Sequence, residues 1–211
     1  MLRSRPIVLG SAALAALGAN YWVLEGALAD RTNFDASWIS DLSTRSESSG
    51  GDFVALGVAA ALALLLYAVV VLANLGGRSR LLRRGAIAFI AAAFFTLVAA
   101  AAPLSCAEGL EAACDLREDT VDVVHAVATA GEIGATILAF ALLGLGFLRG
   151  GRRRLGIATF AFGGIWLALT IVTGVSYLSA GVDDVKGAFQ RVGQIVFGVW
   201  LVVLALGATR E

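Results

Sequence analysis

Six apolar runs, at residues 6–28, 53–75, 82–104, 121–148, 155–178 and 187–208, dominate the chain. Each is long enough to cross roughly 30 Å of hydrocarbon as a helix, which takes about 20 residues. The segments between them alternate in charge. Arg3 and Arg5 precede the first run, Arg78, Arg80, Arg83 and Arg84 separate the second from the third, Arg149 and Arg152 to Arg154 separate the fourth from the fifth, and Arg210 follows the sixth. The intervening segments carry Asp30, Asp35, Asp41, Glu47, Asp52, Glu108, Glu111, Asp115, Glu118, Asp119, Asp183 and Asp184. Arginine-bearing short loops stay on the cytoplasmic side. The expected architecture is an all-α, polytopic bundle of six transmembrane helices forming a single domain over 1–211, with both termini cytoplasmic and the acidic loops extracytoplasmic.

Composition supports that class and excludes others. At 59% hydrophobic residues the chain has no use for six such runs in a water-soluble core. The arginines are split among short loops rather than gathered on one face, so nucleic acid is not an expected partner. One lysine among sixteen Lys and Arg residues, with abundant Ala and Gly, points to a GC-rich prokaryotic genome and hence to the plasma (inner) membrane of a prokaryote. Arg3, Arg5, the apolar 7–19 core and the Ala27-Leu28-Ala29 triplet also resemble a cleavable signal peptide. The length of the run, Trp22 and Glu25 favour a retained first helix over cleavage.

Small residues four apart, such as Gly131 and Ala135, suit close helix packing in lipid, where the hydrophobic effect cannot drive one apolar helix onto another. The first acidic loop contains Trp38-Ile39-Ser40-Asp41-Leu42, an apolar patch in a polar segment that is expected to fold back over the helix ends. Trp22, Tyr21 and Tyr177 are expected in the interfacial aromatic belt.

Few side chains can carry chemistry. Cys106 and Cys114 are the only cysteines, and an oxidising compartment makes a disulfide the expectation. His125, the one histidine, shares a helical face with Thr129, Glu132 and Thr136. Glu132, seven residues further on, lies about 10 Å deeper and inside the hydrocarbon, where an ionisable group calls for a partner. Arg191 is about one turn into the last run, flanked by Gln190 and Gln194. It is expected either to snorkel, to pair with Glu132, Asp122 or Asp41, or to hold an anionic headgroup. Glu25 and the Thr170, Thr173, Ser176 and Tyr177 ladder could complete a polar cavity. One histidine excludes a bis-histidine haem and three-histidine zinc chemistry, no intramembrane lysine serves a retinal, and no glycine-rich phosphate loop is present. Neither a metal nor a cofactor is expected.

Ile39-Ser40-Asp41-Leu42 after the first run, His125 opening the fourth, Gly187-Ala188-Phe189-Gln190-Arg191 opening the sixth and then Trp200 resemble the six-span bacterial and archaeal membrane family called domain of unknown function 998. Gln190 departs from that pattern, which commonly has an acidic residue there. The resemblance implies one constellation of Asp41, His125 and Arg191, and no known activity.

The expected function is an outward-facing polar pocket formed by Asp41, His125, Glu132, Gln190 and Arg191. It would bind a lipid headgroup, a lipid-linked intermediate or a small polar or anionic ligand, beneath the 37–43 segment and the Cys106–Cys114 loop. A histidine on that face would make occupancy depend on external pH. Three alternatives stand beside it: an enzyme on lipid-linked substrates with His125 as base oriented by Asp41, a proton-coupled carrier using Glu132, and a structural subunit of an oligomer or larger complex.

Overall fold

A chain in hydrocarbon must satisfy its own backbone hydrogen bonds, and the helix does so within one segment. A computed structural model describes residues 4–29, 37–107, 119–178 and 185–209, leaving aside the side chains of 176–178. It is all-helical over those residues, with no strand. The helices are α1 (Arg5–Gly18), α2 (Glu25–Leu28), α3 (Gly50–Leu75), α4 (Arg80–Ala101), α5 (Thr120–Arg149), α6 (Arg153–Leu178) and α7 (Lys186–Ala208). Five of them, α3 to α7, are long and apolar enough to cross a membrane. Cys114 lies outside the described residues, and with it the expected bridge to Cys106. So do Arg3, Arg210 and the acidic residues of 30–36, 108–118 and 179–184.

The first apolar run corrects the expectation of one continuous helix over 6–28. It is two pieces, Arg5–Gly18 and Tyr21–Leu28, bent by 53°. Asn20 is the cause. Its backbone leaves helical geometry at φ −114°, and its side-chain amide donates to the Ala16 carbonyl at 2.9 Å, replacing the bond that helix continuation would have made. A 3₁₀ turn, Tyr21–Leu24, then leads into α2. Counting the bent pair as one span gives up to six.

Local chemistry sets the other ends. Ser79 caps α4 by accepting from the Leu82 N–H at 3.2 Å, and Asp119 caps α5 by accepting from Val121 at 2.8 Å. The third run was expected to reach 104 but α4 stops at Ala101, because Pro103 has no N–H and pushes the residue before it out of helical space. At the far end of α5, Gly151 takes φ +78°, a conformation open to glycine without strain.

The helices close into a ring in chain order: α1 on α3, α3 on α4, α4 on α5, α5 on α6, α6 on α7, and α7 back on α1. The ring is filled. Trp200 of α7, 1% exposed, packs tilted against Phe140 with centroids 4.4 Å apart and meets Phe89 edge-on and Phe197 tilted at 5.5 and 5.6 Å. Across it, the Tyr67 hydroxyl donates to the Leu201 carbonyl at 2.8 Å. Where α4 and α5 touch, a Cβ on Gly85 would come within 2.9 Å of the Leu143 backbone nitrogen, so only glycine permits that approach.

The turns at 76–79 and 150–152 mark the arginine-rich end. The segments 37–49 and 102–107 cover the other. The cover depends on Gly50, whose Cβ would run into the Thr44 carbonyl oxygen, whereas a Cβ on Gly51 meets nothing within 4 Å. Gly50→Ala should therefore destabilise the protein by about 1–3 kcal/mol in detergent unfolding, with Gly51→Ala near neutral. A loss in Gly50→Ala no greater than that in Gly51→Ala would show that this contact does not set the cost, since helix propensity alone favours alanine at both positions.

Candidate functional site

The site grows from the 53° bend. Redirecting the chain after Gly18 swings α2 under the loop cover, and it brings Glu25, 6% exposed, against α7. There Arg191, 1% exposed, grips it with two parallel bonds, Nε to Oε1 at 3.1 Å and Nη2 to Oε2 at 2.5 Å. The fork of a guanidinium matches a carboxylate in this way and a point charge does not. Arg191 Nη1 donates to the Ser37 carbonyl at 2.8 Å, and the Trp22 ring lies 5.7 Å from the guanidinium carbon, within cation–π range.

This corrects the expected partners. Arg191 does not snorkel, being 1% exposed, and the carboxylate in its fork is that of Glu25 rather than Glu132, Asp122 or Asp41: α1 and α7 are ring neighbours, and the bend after α1 carries Glu25 to it. Trp22, expected in a lipid-facing belt, is buried beneath the guanidinium at 7% exposure. One sequence signal pointed to the pair. Glu25 stands three residues from the end of the first run and Arg191 four from the start of the last, so opposite charges stand near the same end of the bundle.

The neighbouring Gln190 holds the cover. Its Oε1 accepts from the Ile39 N–H at 2.7 Å. Only the acceptor oxygen is used, and a glutamate would offer the same atom, which accounts for the departure at this position. Asp41, 1% exposed, closes its own 3₁₀ turn (Ile39–Ser43) by accepting from the Trp38 N–H at 2.7 Å. Lys186, 6% exposed, sits 5.6 Å from the Trp38 ring. Asp41, Gln190 and Arg191 thus belong to one assembly with Ser37 and with Glu25, which was expected to line the polar cavity and not to pair with Arg191.

His125 belongs elsewhere. Its Nδ1 lies 3.0 Å from the Ala99 carbonyl and 2.9 Å from that of Ala102. Both are acceptors, so Nδ1 carries the proton and caps the end of α4, whose last carbonyls have no helical partner. The hydrogen bonds of His125 and those described for Asp41 do not join the two residues. Glu132 is deeper, beside the Thr96 hydroxyl and near Tyr21 at the bend. Among the described residues no three His, Cys, Asp or Glu side chains are grouped to hold a metal ion.

The second half of the cover is sewn to the first. The Arg45 N–H donates to the Leu104 carbonyl at 2.9 Å, and its guanidinium pairs with Asp119. Asp122, 1% exposed, accepts from the Ser105 N–H at 2.8 Å and from its hydroxyl at 2.5 Å. The hydrogen bond from Arg45, then that from the Val121 N–H, hold the Asp119 carboxyl below its ordinary range. A depressed folded-state value means the contribution is complete above the ordinary aspartate value of about 4 and is lost as pH falls through the lower one. Asp119→Asn should therefore melt below wild type at neutral pH, with the difference vanishing on acidification. A gap that stays constant down to pH 3 would remove the ion pair as its cause.

No curated protein and no solved structure matches the chain. The family model described as "Protein of unknown function (DUF998)" matches residues 8–207. With that match over nearly its whole length, this membrane-type helical chain belongs to the DUF998 family.

Proposed function

We infer that the protein is a membrane-embedded binding protein that takes an anionic or polar ligand, a lipid headgroup among them, at its loop-covered end. Arg191 holds the anion, and Glu25 occupies that position while the site is empty. The observation that carries this reading is the bidentate pair itself: a buried guanidinium already engages a carboxylate in the geometry it would use for a carboxylate or phosphate ligand. Glu25 rides on a short half-helix set at 53° to the rest of its span, so displacing it requires moving only α2 and the 3₁₀ turn. Gln190 and Asp41 shape the cover, and a Cys106–Cys114 bridge would tie its second half.

In this reading the bent pair is a full span, giving six helices with both termini cytoplasmic and the covered end facing outward from a prokaryotic inner membrane. It also requires residues 1–29 to remain on the chain, since they carry Glu25.

Native mass spectrometry of protein purified gently from its own membranes tests it. A ligand that competes with Glu25 should be retained more strongly by Glu25→Gln than by wild type. Arg191→Lys should lose it, because an ammonium cannot reproduce the fork. If both the wild type and Glu25→Gln are empty, or a folded Arg191→Lys keeps the same bound mass, the binding reading fails.

A further inference from the structure

At the arginine-rich end, where α6 begins and α7 finishes, lies an open cavity of about 750 Å³, within the usual range for ligand sites. Its rim is basic, formed by Arg152, Arg153 and Arg154, and its wall is apolar, formed by Leu155, Ala158 and Leu206 among others. Arg152 is fixed in place: its Nη1 donates to the Gly207 carbonyl at 2.8 Å, tying the α5–α6 turn to the end of α7. Gly207 also lets Leu155 pack so closely that a Cβ there would lie 2.5 Å from a leucine methyl. Arg153 and Arg154 are exposed beside this anchored residue. Below them α6 is the least buried of the spans, with Ile157 and Phe160 facing outward.

Positive charge at a loop is explained by topology alone, but topology requires no cavity. Charge above and hydrocarbon below match one kind of molecule, whose head is anionic and whose body is apolar. We propose that this cavity between α6 and α7 is a binding site for an acidic glycerophospholipid, its phosphate at Arg152 to Arg154 and its chains along Ala158, Val203 and Leu206. The inference is independent of the Arg191 site, at the other end of the bundle.

Delipidated protein in detergent, given phosphatidylglycerol, phosphatidylcholine or inorganic phosphate, provides the test by native mass spectrometry and thermal melting. Phosphatidylglycerol should be retained and should raise the melting temperature, and the other two should not. Arg153→Gln with Arg154→Gln should reduce that retention about tenfold or more. Arg83→Gln with Arg84→Gln removes two exposed arginines of the same end outside the cavity and should leave retention unchanged. Ala158→Phe, which fills the wall without touching charge, should also displace the lipid. Equal losses in the two arginine pairs would reduce the site to general surface charge. Stabilisation by inorganic phosphate alone would make it a free-anion site, and equal retention of phosphatidylcholine would remove the headgroup from recognition. Any of these three outcomes overturns the proposal.

Discussion

Arg191→Ala is expected to lower the unfolding free energy of the purified protein by about 3–5 kcal/mol, the usual cost of leaving half a buried ion pair behind. The variant strands the Glu25 carboxylate at 6% exposure and removes the donor from the Ser37 carbonyl, so both α2 and the 37–43 segment lose their tie to α7. Glu25→Ala should cost at least as much, because it leaves a guanidinium at 1% exposure without its carboxylate. Desolvating two charges offsets much of their attraction, so replacing both with apolar side chains of similar volume, Glu25→Met with Arg191→Met, should recover most of the loss. Denaturant unfolding in detergent reads all three. Additive losses in the double variant would show that the two side chains are not energetically coupled, whatever their distance. The result also separates stability from binding: an apolar double variant that folds and holds no anion fits both roles of Arg191.

Trp200→Ala should be comparably damaging, at about 3–5 kcal/mol, for a different reason. Its indole fills the middle of the ring, against Phe89, Phe140 and Phe197, and no neighbour can collapse into the space without dragging a helix with it. In a membrane the penalty is chiefly lost dispersion contact, since lipid chains are as apolar as the core. Val199→Ala, one residue away and 47% exposed, should stay within about 0.5 kcal/mol of wild type. If Trp200→Ala does no worse than that, the aromatic cluster is not what holds the ring closed.

The helical class and the positions of the long spans were legible because each depends on local composition. Five of the six runs fold as helices over nearly the expected residues, and Pro103 even marks where α4 must stop. The break after Gly18 was missed. Asn20 in an apolar run is a weak signal unless one knows that its amide finds the Ala16 carbonyl and that α2 gains a partner by turning. The motif residues were found without their roles. His125 was expected to bond a ligand in the pocket, or to act as a base in the rival reading, and its Nδ1 caps the end of α4; Gln190 looked like a lost charge yet contributes the oxygen that accepts from the Ile39 N–H.

Depth along each unbroken helix was therefore determined by the sequence alone. Rise per residue is constant only within an unbroken helix, so His125 could be placed above Glu132, whereas the break after Gly18 put the level of Glu25 out of reach of such counting. Which side chains meet across helices was decided only by the tertiary structure. Azimuth depends on how the helices pack around the ring, and the closure of α7 onto the broken first span joins residues 166 positions apart. No local preference encodes a contact of that range, because it exists only once van der Waals packing has chosen each helix's neighbours.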